Sequence, residues 1–445
     1  MPDSALADPL AAQPAPWPAP ARAWWTVGMF CIAAVLSYSD RQVLSLLVDP
    51  LRADLHLSDF DVGLLQGVAF SLIYAFAGLA LGRAADVLSR KAVVLVGIAI
   101  WSVATLSCGY ATSFGQLFVA RAAVGVGEAA LAPAALSMLT DSFPSERRGA
   151  AIGTFLMGMI AGSGAAITIG GLVIQAAQAG VFRGVPVLGE LAPWRTVMVC
   201  LGLLGLPVSL LISTVREPLR RHRAVAGASH ALPLREVLAR LMALRSFLIP
   251  LYIAMGLSNI CDYALLSWTP ALLSRRFGLG AGTIGSVLGA VVIVVGVLGA
   301  TGAGIVADGL VRRGVEKARL KLAYVTLIVG AIGTLVVAAP SPLLVFLLVG
   351  IWILASTSGQ TAGLTVLQEV TPNEIRGLSV SIASLLNIGL GLALGAALPT
   401  LVAKYLLEDT QAVGLAMTLV ALPAAIVSIL LYRRAMTTLD KAVAA

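Results

Sequence analysis

A run such as "SVLGAVVIVVGVLGATGAGIVA" (286–307), with no charged side chain, leaves a chain few choices of fold. It is long and apolar enough to cross the hydrocarbon core of a bilayer, where every backbone N–H and C=O must find its partner within the protein. Only helices and closed barrels meet that demand, and the alternating ten-residue strands of a barrel are absent. The chain is therefore expected to be an all-α polytopic membrane protein. Twelve such runs recur, at approximately 24–49, 60–83, 91–112, 115–140, 148–178, 194–215, 246–274, 281–307, 318–339, 342–370, 376–403 and 411–432. Charged residues make up only 12% of the chain, about half the share usual in soluble proteins.

The longest polar connector, "REPLRRHRAVAGASHALPLREVLARLMALR", separates the sixth run from the seventh. The expected organisation is a cytoplasmic tail (1–22), a first six-helix bundle (23–215), a cytoplasmic linker (216–245), a second bundle (246–434) and a short cytoplasmic tail (435–445). The Pro- and Ala-rich first tail lacks the basic region and apolar core of a cleaved signal peptide and reads as disordered. Lys and Arg crowd the loops on the side of the two tails, which places both termini in the cytoplasm by the positive-inside rule. The expected location is the cell membrane, which is the inner membrane in a Gram-negative cell. The net charge of +8 then reflects topology and contact with anionic lipid rather than nucleic acid. Cys31, Cys108, Cys200 and Cys261 all fall inside apolar runs without metal-ligand or disulfide spacing, and read as small buried hydrophobes.

Two loops recur in the two halves. "GRAADVLSRK" (82–91) follows the second run and "GIVADGLVRR" (304–313) the eighth, both reading Gly-x-x-x-Asp-x-x-x-Arg and a second base. "LTDSFPSERRG" (139–149) aligns at nearly the same offset with "LQEVTPNEIRG" (367–377), matching Pro144 to Pro372, Glu146 to Glu374 and Arg148 to Arg376. Such parallel repeats are a known transporter architecture, two pseudo-symmetric six-helix bundles about an axis normal to the membrane. At these residues the chain resembles the major facilitator superfamily: "GRAADVLSRK" is similar to its loop 2–3 motif and "RAAVGVGEA" to its fourth-helix motif. "SYSDRQVLS" (37–45), with "VGVGEAALAPAALSMLTDSFPSERRGAAIG" (124–153), resembles more narrowly the spinster-like branch, which includes sphingosine-1-phosphate and lysophospholipid transporters. On the fifth helix, "GMIAGSGAAITIGG" (158–171) lacks the Gly-Pro of the drug-antiporter motif.

Few ionisable groups lie deep in the runs: Asp40, Arg41, Arg121, Glu128 and Asp262. Each costs roughly 2.5–3.5 kcal/mol at a helix centre on insertion scales, so such groups face cavities and pair. The resemblance implies that the first and fourth helices line a central cavity, where Asp40 would meet Arg121 and Arg41 would meet Glu128. Asp40 and Arg41 point about 100° apart. Arg41 shares a polar stripe with Ser37, Tyr38 and Ser45, which makes it the cavity-facing member. Asp40 and Glu128 are the expected proton-coupling carboxylates. Arg41, Arg121, Tyr38 and Ser37, with Asn259, Asp262, Tyr263 and Trp268 from "SNICDYALLSWTP" (258–270), are the expected substrate contacts. Protonating one carboxylate would leave a net positive cavity with an arginine released for an anion, which gives symport-like coupling. Competition of proton and substrate for one carboxylate would instead give exchange.

By the same resemblance, Asp86, Arg90, Glu146 and Arg148, with Asp308, Arg312, Glu374 and Arg376, would close a cytoplasmic gate. No phosphate-binding Gly-x-x-x-x-Gly-Lys-Ser/Thr loop is present, so ATP is not the expected fuel. The three histidines, His56, His222 and His230, fall in loops, which argues against an intramembrane enzyme. No cofactor and no metal are expected. The expected function is proton-coupled transport, by alternating access, of an amphipathic anion such as a lysolipid or sphingoid phosphate. The alternative is a small organic anion or drug. A monomer in contact with membrane lipid is expected, with the substrate and protons as its other partners.

Overall fold

The computed structural model describes residues 17–186, 188–220, 234–409 and 412–443, apart from the side chains of 145, 234, 373, 374 and 441–443. Among the described residues eleven helices are long and apolar enough to cross a membrane. In the first half these are α1 (Pro20–Leu46), α2 (Asp59–Val87), α3 (Arg90–Tyr110), α4 (Phe114–Ser142), α5 (Glu146–Gln178) and α6 (Pro193–Ser213). In the second half they are α7 (Arg245–Phe277), α8 (Ala281–Arg312), α10 (Pro342–Val370), α11 (Ile375–Leu406) and α12 (Val413–Asp440).

The twelfth expected span is present but not continuous. Its helix α9 (Ala318–Gly330) tightens into 3₁₀ turns at Ala331–Thr334 and Val336–Ala338. The cause is close packing on α10, where a Cβ on Gly333 would stand 2.7 Å from the Trp352 backbone nitrogen. Polar groups repair the interrupted ladder: the Thr334 hydroxyl donates to the Ala331 carbonyl at 2.7 Å, and Thr418 on α12 donates to the Thr334 carbonyl at 2.9 Å. Unwound backbone at membrane depth is tolerable because protein covers it.

Sequence punctuation sets the ends. Pro20, Pro193 and Pro342 open their helices in the first turn, where a missing N–H costs nothing. Ser89, Ser113 and Ser341 cap α3, α4 and α10. Ser58 and Asp61 form a reciprocal capping box at the start of α2. A short helix, Val48–Leu55, links α1 to α2, and another, Leu234–Ala243, precedes α7.

Within the halves, α1 packs on α5, α3 on α6, α7 on α12, and α8 on α10. The halves meet along α5 and α8 and along α2 and α11. The α5–α8 seam is close enough that a Cβ on Gly285 would stand 2.7 Å from the Ile167 carbonyl oxygen. Such small-residue seams let helices associate in lipid, where no hydrophobic force draws them together. Outward-facing side chains such as Phe76, Leu210 and Ile305 remain exposed as a lipid-facing coat.

The two ends of the molecule differ. At the end away from the tails, α2 lies against α11, and a Cβ on Gly67 would stand 2.7 Å from the Ala393 carbonyl oxygen. There Arg275 of α7 reaches across to Asp49 and Asp59, at 2.7 Å each. At the tail end, no ion pair among the described residues joins the halves.

Candidate substrate and proton site

α4 breaks where its glutamate sits. Pro133 has no N–H for the Ala129 carbonyl, and Ala129 and Ala130 form a turn between two helical segments, the first ending at Glu128. On α1, Ser37 and Arg41 are one turn apart and meet this point together. The Arg41 Nε donates to Glu128 Oε2 at 2.7 Å, and the Ser37 hydroxyl donates to the same oxygen, also at 2.7 Å. Glu128 Oε1, fully buried, has no hydrogen-bond partner among the described residues. The Arg41 guanidinium carbon lies 4.9, 4.7 and 4.6 Å from the ring centres of Tyr38, Phe70 and Tyr74. This aromatic box stabilises the cation through the ring faces. Among the described residues Nε is the one guanidinium nitrogen of Arg41 with a hydrogen-bond partner.

The neighbouring pair departs from expectation. Arg121 does not meet the Asp40 carboxylate; its Nη1 donates to the Asp40 backbone carbonyl at 3.0 Å. The carboxylate turns away, about 100° around α1 from Arg41, and accepts from the Thr105 hydroxyl of α3 at 3.0 Å. Asp40 Oδ1 and the Nε and Nη2 of Arg121 are buried without partners. The guanidinium carbon of Arg121 stands 5.5 Å from the centre of the Phe70 ring that also borders Arg41. Two carboxylates and two guanidiniums thus share one buried region with hydrogen-bonding capacity to spare.

Between the halves lies a cavity of about 190 Å³. Tyr38 and Gln42 of α1 line it from one side, and Asn259, Asp262 and Tyr263 of α7 with Ser356 of α10 from the other. The Asp262 carboxylate accepts from the Trp352 indole N–H at 2.7 Å. Trp268, expected as a substrate contact, lies away from the cavity. It is fully buried and donates to the Ala396 carbonyl of α11 at 2.8 Å, so it holds helices together and does not line the cavity. Asp262 and Trp268 are six residues apart, about 120° around the helix, and cannot face one cavity.

The expected gate residues lie at the tail end, and the contacts of Arg90, Asp308, Arg312 and Arg376 fall within their own halves. Arg90 is buried; it binds Asp141 of α4, Glu217 at 3.1 Å and the Pro218 carbonyl at 2.6 Å. Glu217 also accepts from the Ser89 hydroxyl and the Arg90 and Lys91 backbone N–H groups. Burial alone would raise its carboxyl, but these bonds outweigh burial and hold it below the usual carboxylate range. Asp86 is exposed, with its backbone carbonyl bound by Arg220. Asp308 pairs with Arg319 at 2.9 Å, Arg319 also with Glu369 at 3.0 Å. Arg312 donates to the Asp308 carbonyl at 3.3 Å and Arg376 to the Thr371 carbonyl at 3.2 Å. Glu146 is exposed and Arg148 half-buried, and the Glu374 side chain lies outside the described residues. These contacts brace each half. The cross-half clamp sits instead at the opposite end, on Arg275, Asp49 and Asp59, which sequence reasoning missed together with Thr105 and Trp352. Asp49 and Asp59 carried a signal, as paired acids just past an apolar run.

The family model described as Major Facilitator Superfamily matches residues 30–396. An MFS-type efflux pump of Mycolicibacterium smegmatis is 32% identical over 66% of this chain and 64% of its own length. Protein spinster of Drosophila melanogaster is 26% identical over 51% of this chain and 35% of its own. The chain thus spans less than two thirds of the curated relatives it matches here. A solved bacterial homolog to the human lysosomal transporter spinster, inward-facing and occupied, shares the fold with a TM-score of 0.75. It is 24% identical, over 96% of this chain and 97% of that one.

Proposed function

The chain belongs to the major facilitator superfamily and resembles its spinster-like branch, and on that footing we propose that it is a proton-coupled secondary transporter of an amphipathic anion. The observation that carries this reading is Glu128: one oxygen is shared by Arg41 and Ser37, while the other is buried and unpartnered. Ionised Glu128 holds Arg41. A proton on Glu128 neutralises it and releases a guanidinium whose remaining nitrogens suit the two oxygens of a phosphate or carboxylate. Affinity for the anion therefore rises as pH falls through the Glu128 titration, and anion and proton favour each other's binding. Tyr38, shared between the Arg41 box and the cavity, puts an apolar face beside the charged head.

Each net charge moved with the membrane field gains about 2.3 kcal/mol per 100 mV, which corresponds to about a fiftyfold concentration ratio. On the reading that both tails are cytoplasmic, closure of the far end by Arg275, Asp49 and Asp59 corresponds to an inward-facing state. Passage to the other state requires Arg275 to leave Asp49 and Asp59, and the tail-end groups at Asp86, Arg90, Asp308 and Arg312 to meet across the halves.

The test is uptake into proteoliposomes driven by an imposed pH gradient, with a radiolabelled single-chain lysophospholipid as substrate. Glu128→Gln abolishes pH-driven accumulation and leaves substrate counterflow and the melting temperature near those of the wild type. Undiminished pH-driven uptake by that variant would sink the assignment. A second reading, export of a small organic solute or drug, is favoured by the Asp262 carboxylate in the cavity wall and by the similarity to an efflux pump. In that case the lysophospholipid is not transported and a hydrophobic drug is.

A further inference from the structure

The Arg41–Glu128 chemistry leaves one charged group of the cavity unused. Among the described residues Asp262 is the sole ionisable acid or base lining it apart from two tyrosines, and it is half-buried. Its Oδ1 accepts from Trp352 at 2.7 Å, a bond that orients the carboxylate but adds no positive charge. Among the described residues no Lys, Arg or His forms an ion pair with it. Tyr263, its neighbour on α7, and Tyr38 of α1 line the same cavity, so an acid and two aromatic rings border one space. An anion adjoining aromatic faces is the arrangement that recognises an ammonium group.

We propose that Asp262, with Tyr38 and Tyr263, is a binding site for a substituted ammonium group. This rests in part on the anion reading of Arg41: the Arg41 guanidinium, stacked on the cavity-lining Tyr38, and the Asp262 carboxylate together select a zwitterionic amphiphile. Its anionic group faces Arg41 on α1, in the first half, and its ammonium faces Asp262 on α7, in the second. A ligand touching both halves through opposite charges also draws them together, so binding and closure of the cavity become one event. An amphiphile with an anionic head alone would leave Asp262 uncompensated and repelled.

The experiment measures binding to the full chain in lipid nanodiscs, by isothermal titration, with three probes that share a dodecyl chain. These are dodecyl phosphate (anion), dodecylphosphocholine (zwitterion) and dodecyltrimethylammonium (cation), each below its micelle concentration. The wild type binds the zwitterion at least about tenfold more tightly than the phosphate, as a charge-assisted contact implies. Asp262→Asn removes that preference and leaves dodecyl phosphate affinity unchanged or improved. Asp262→Glu, which keeps the charge, retains part of the preference and controls for folding. Equal binding of phosphate and zwitterion by the wild type overturns the ammonium site while leaving the anion reading intact. A preference that survives Asp262→Asn overturns it too, as does loss of pH-driven phosphate uptake in that variant without loss of preference, which makes Asp262 a proton site. Asp262-dependent binding of the cation, with none of the phosphate, upholds the ammonium site and overturns the anion reading instead. Binding of no probe overturns both.

Discussion

Arg41 shows why a guanidinium is used here and an ammonium would not serve. It is planar, stacks among Tyr38, Phe70 and Tyr74, and reaches Glu128 through one nitrogen while leaving others for a ligand. Lysine has no plane to stack and no fork to share between two oxygens. Arg41→Lys is therefore expected to weaken binding of an anionic substrate by about tenfold or more, although net charge is unchanged. Binding isotherms read this directly, and an affinity equal to that of the wild type would show that the fork is not used. The presence of Arg41 and Glu128 as a pair was legible in the sequence, since lone charges in apolar runs must find each other. That Arg121 would settle on the Asp40 carbonyl rather than its carboxylate was not. A rotation of α1 by a few tens of degrees decides it, and an apolar helix carries no mark of that rotation.

Among the helices, the breaks follow from residues that remove or crowd backbone groups. Pro133 interrupts α4 beside Glu128, a signal visible in "GEAALAP". The unwinding of α9 comes from Gly330 and Gly333 meeting α10, and its twelve-run hydropathy pattern gave no hint of it. The tail end of the first half is held by Glu217, which ties the start of α3 to the segment after α6. Its carboxyl titrates below the ordinary range, so its stabilising contribution is complete above about pH 4.3, the unfolded value, and is lost as pH falls through the folded one. Glu217→Gln is expected to lower Tm by a few degrees at pH 7 and to make the acid arm of the stability curve shallower. A thermal-shift series from pH 3 to pH 8 checks it; identical curves for both proteins would remove Glu217 from the account.

For the molecule as a whole, the state adopted is set by which end carries cross-half contacts. Arg275 with Asp49 and Asp59, beneath the α2–α11 seam, closes the end away from the tails. Arg275→Gln should shift the balance toward the state open at that end by about 1–2 kcal/mol, five- to thirty-fold in population. Labelling of a cysteine introduced into the far-end half of the cavity reads the shift, against the same cysteine in the wild type. An unchanged labelling rate would mean that the seam alone holds the closure. At the opposite end Arg90 and Asp308 make their ion pairs within their own halves, a distribution that suits one state of a two-state device.

Hydropathy, loop charge and the two repeated loops were enough to establish a helical membrane protein of two related halves, because each is a local property of the chain. Burial of a charge is local too, so Asp40, Arg41, Arg121, Glu128 and Asp262 announced themselves. Partnership is not local. Thr105, Trp352 and Arg275 are ordinary in their own segments and gain meaning only from helices brought beside them. In lipid those neighbours are chosen by close packing of small residues and satisfaction of polar groups, and both depend on helix rotation and depth, which are coordinates of the folded molecule.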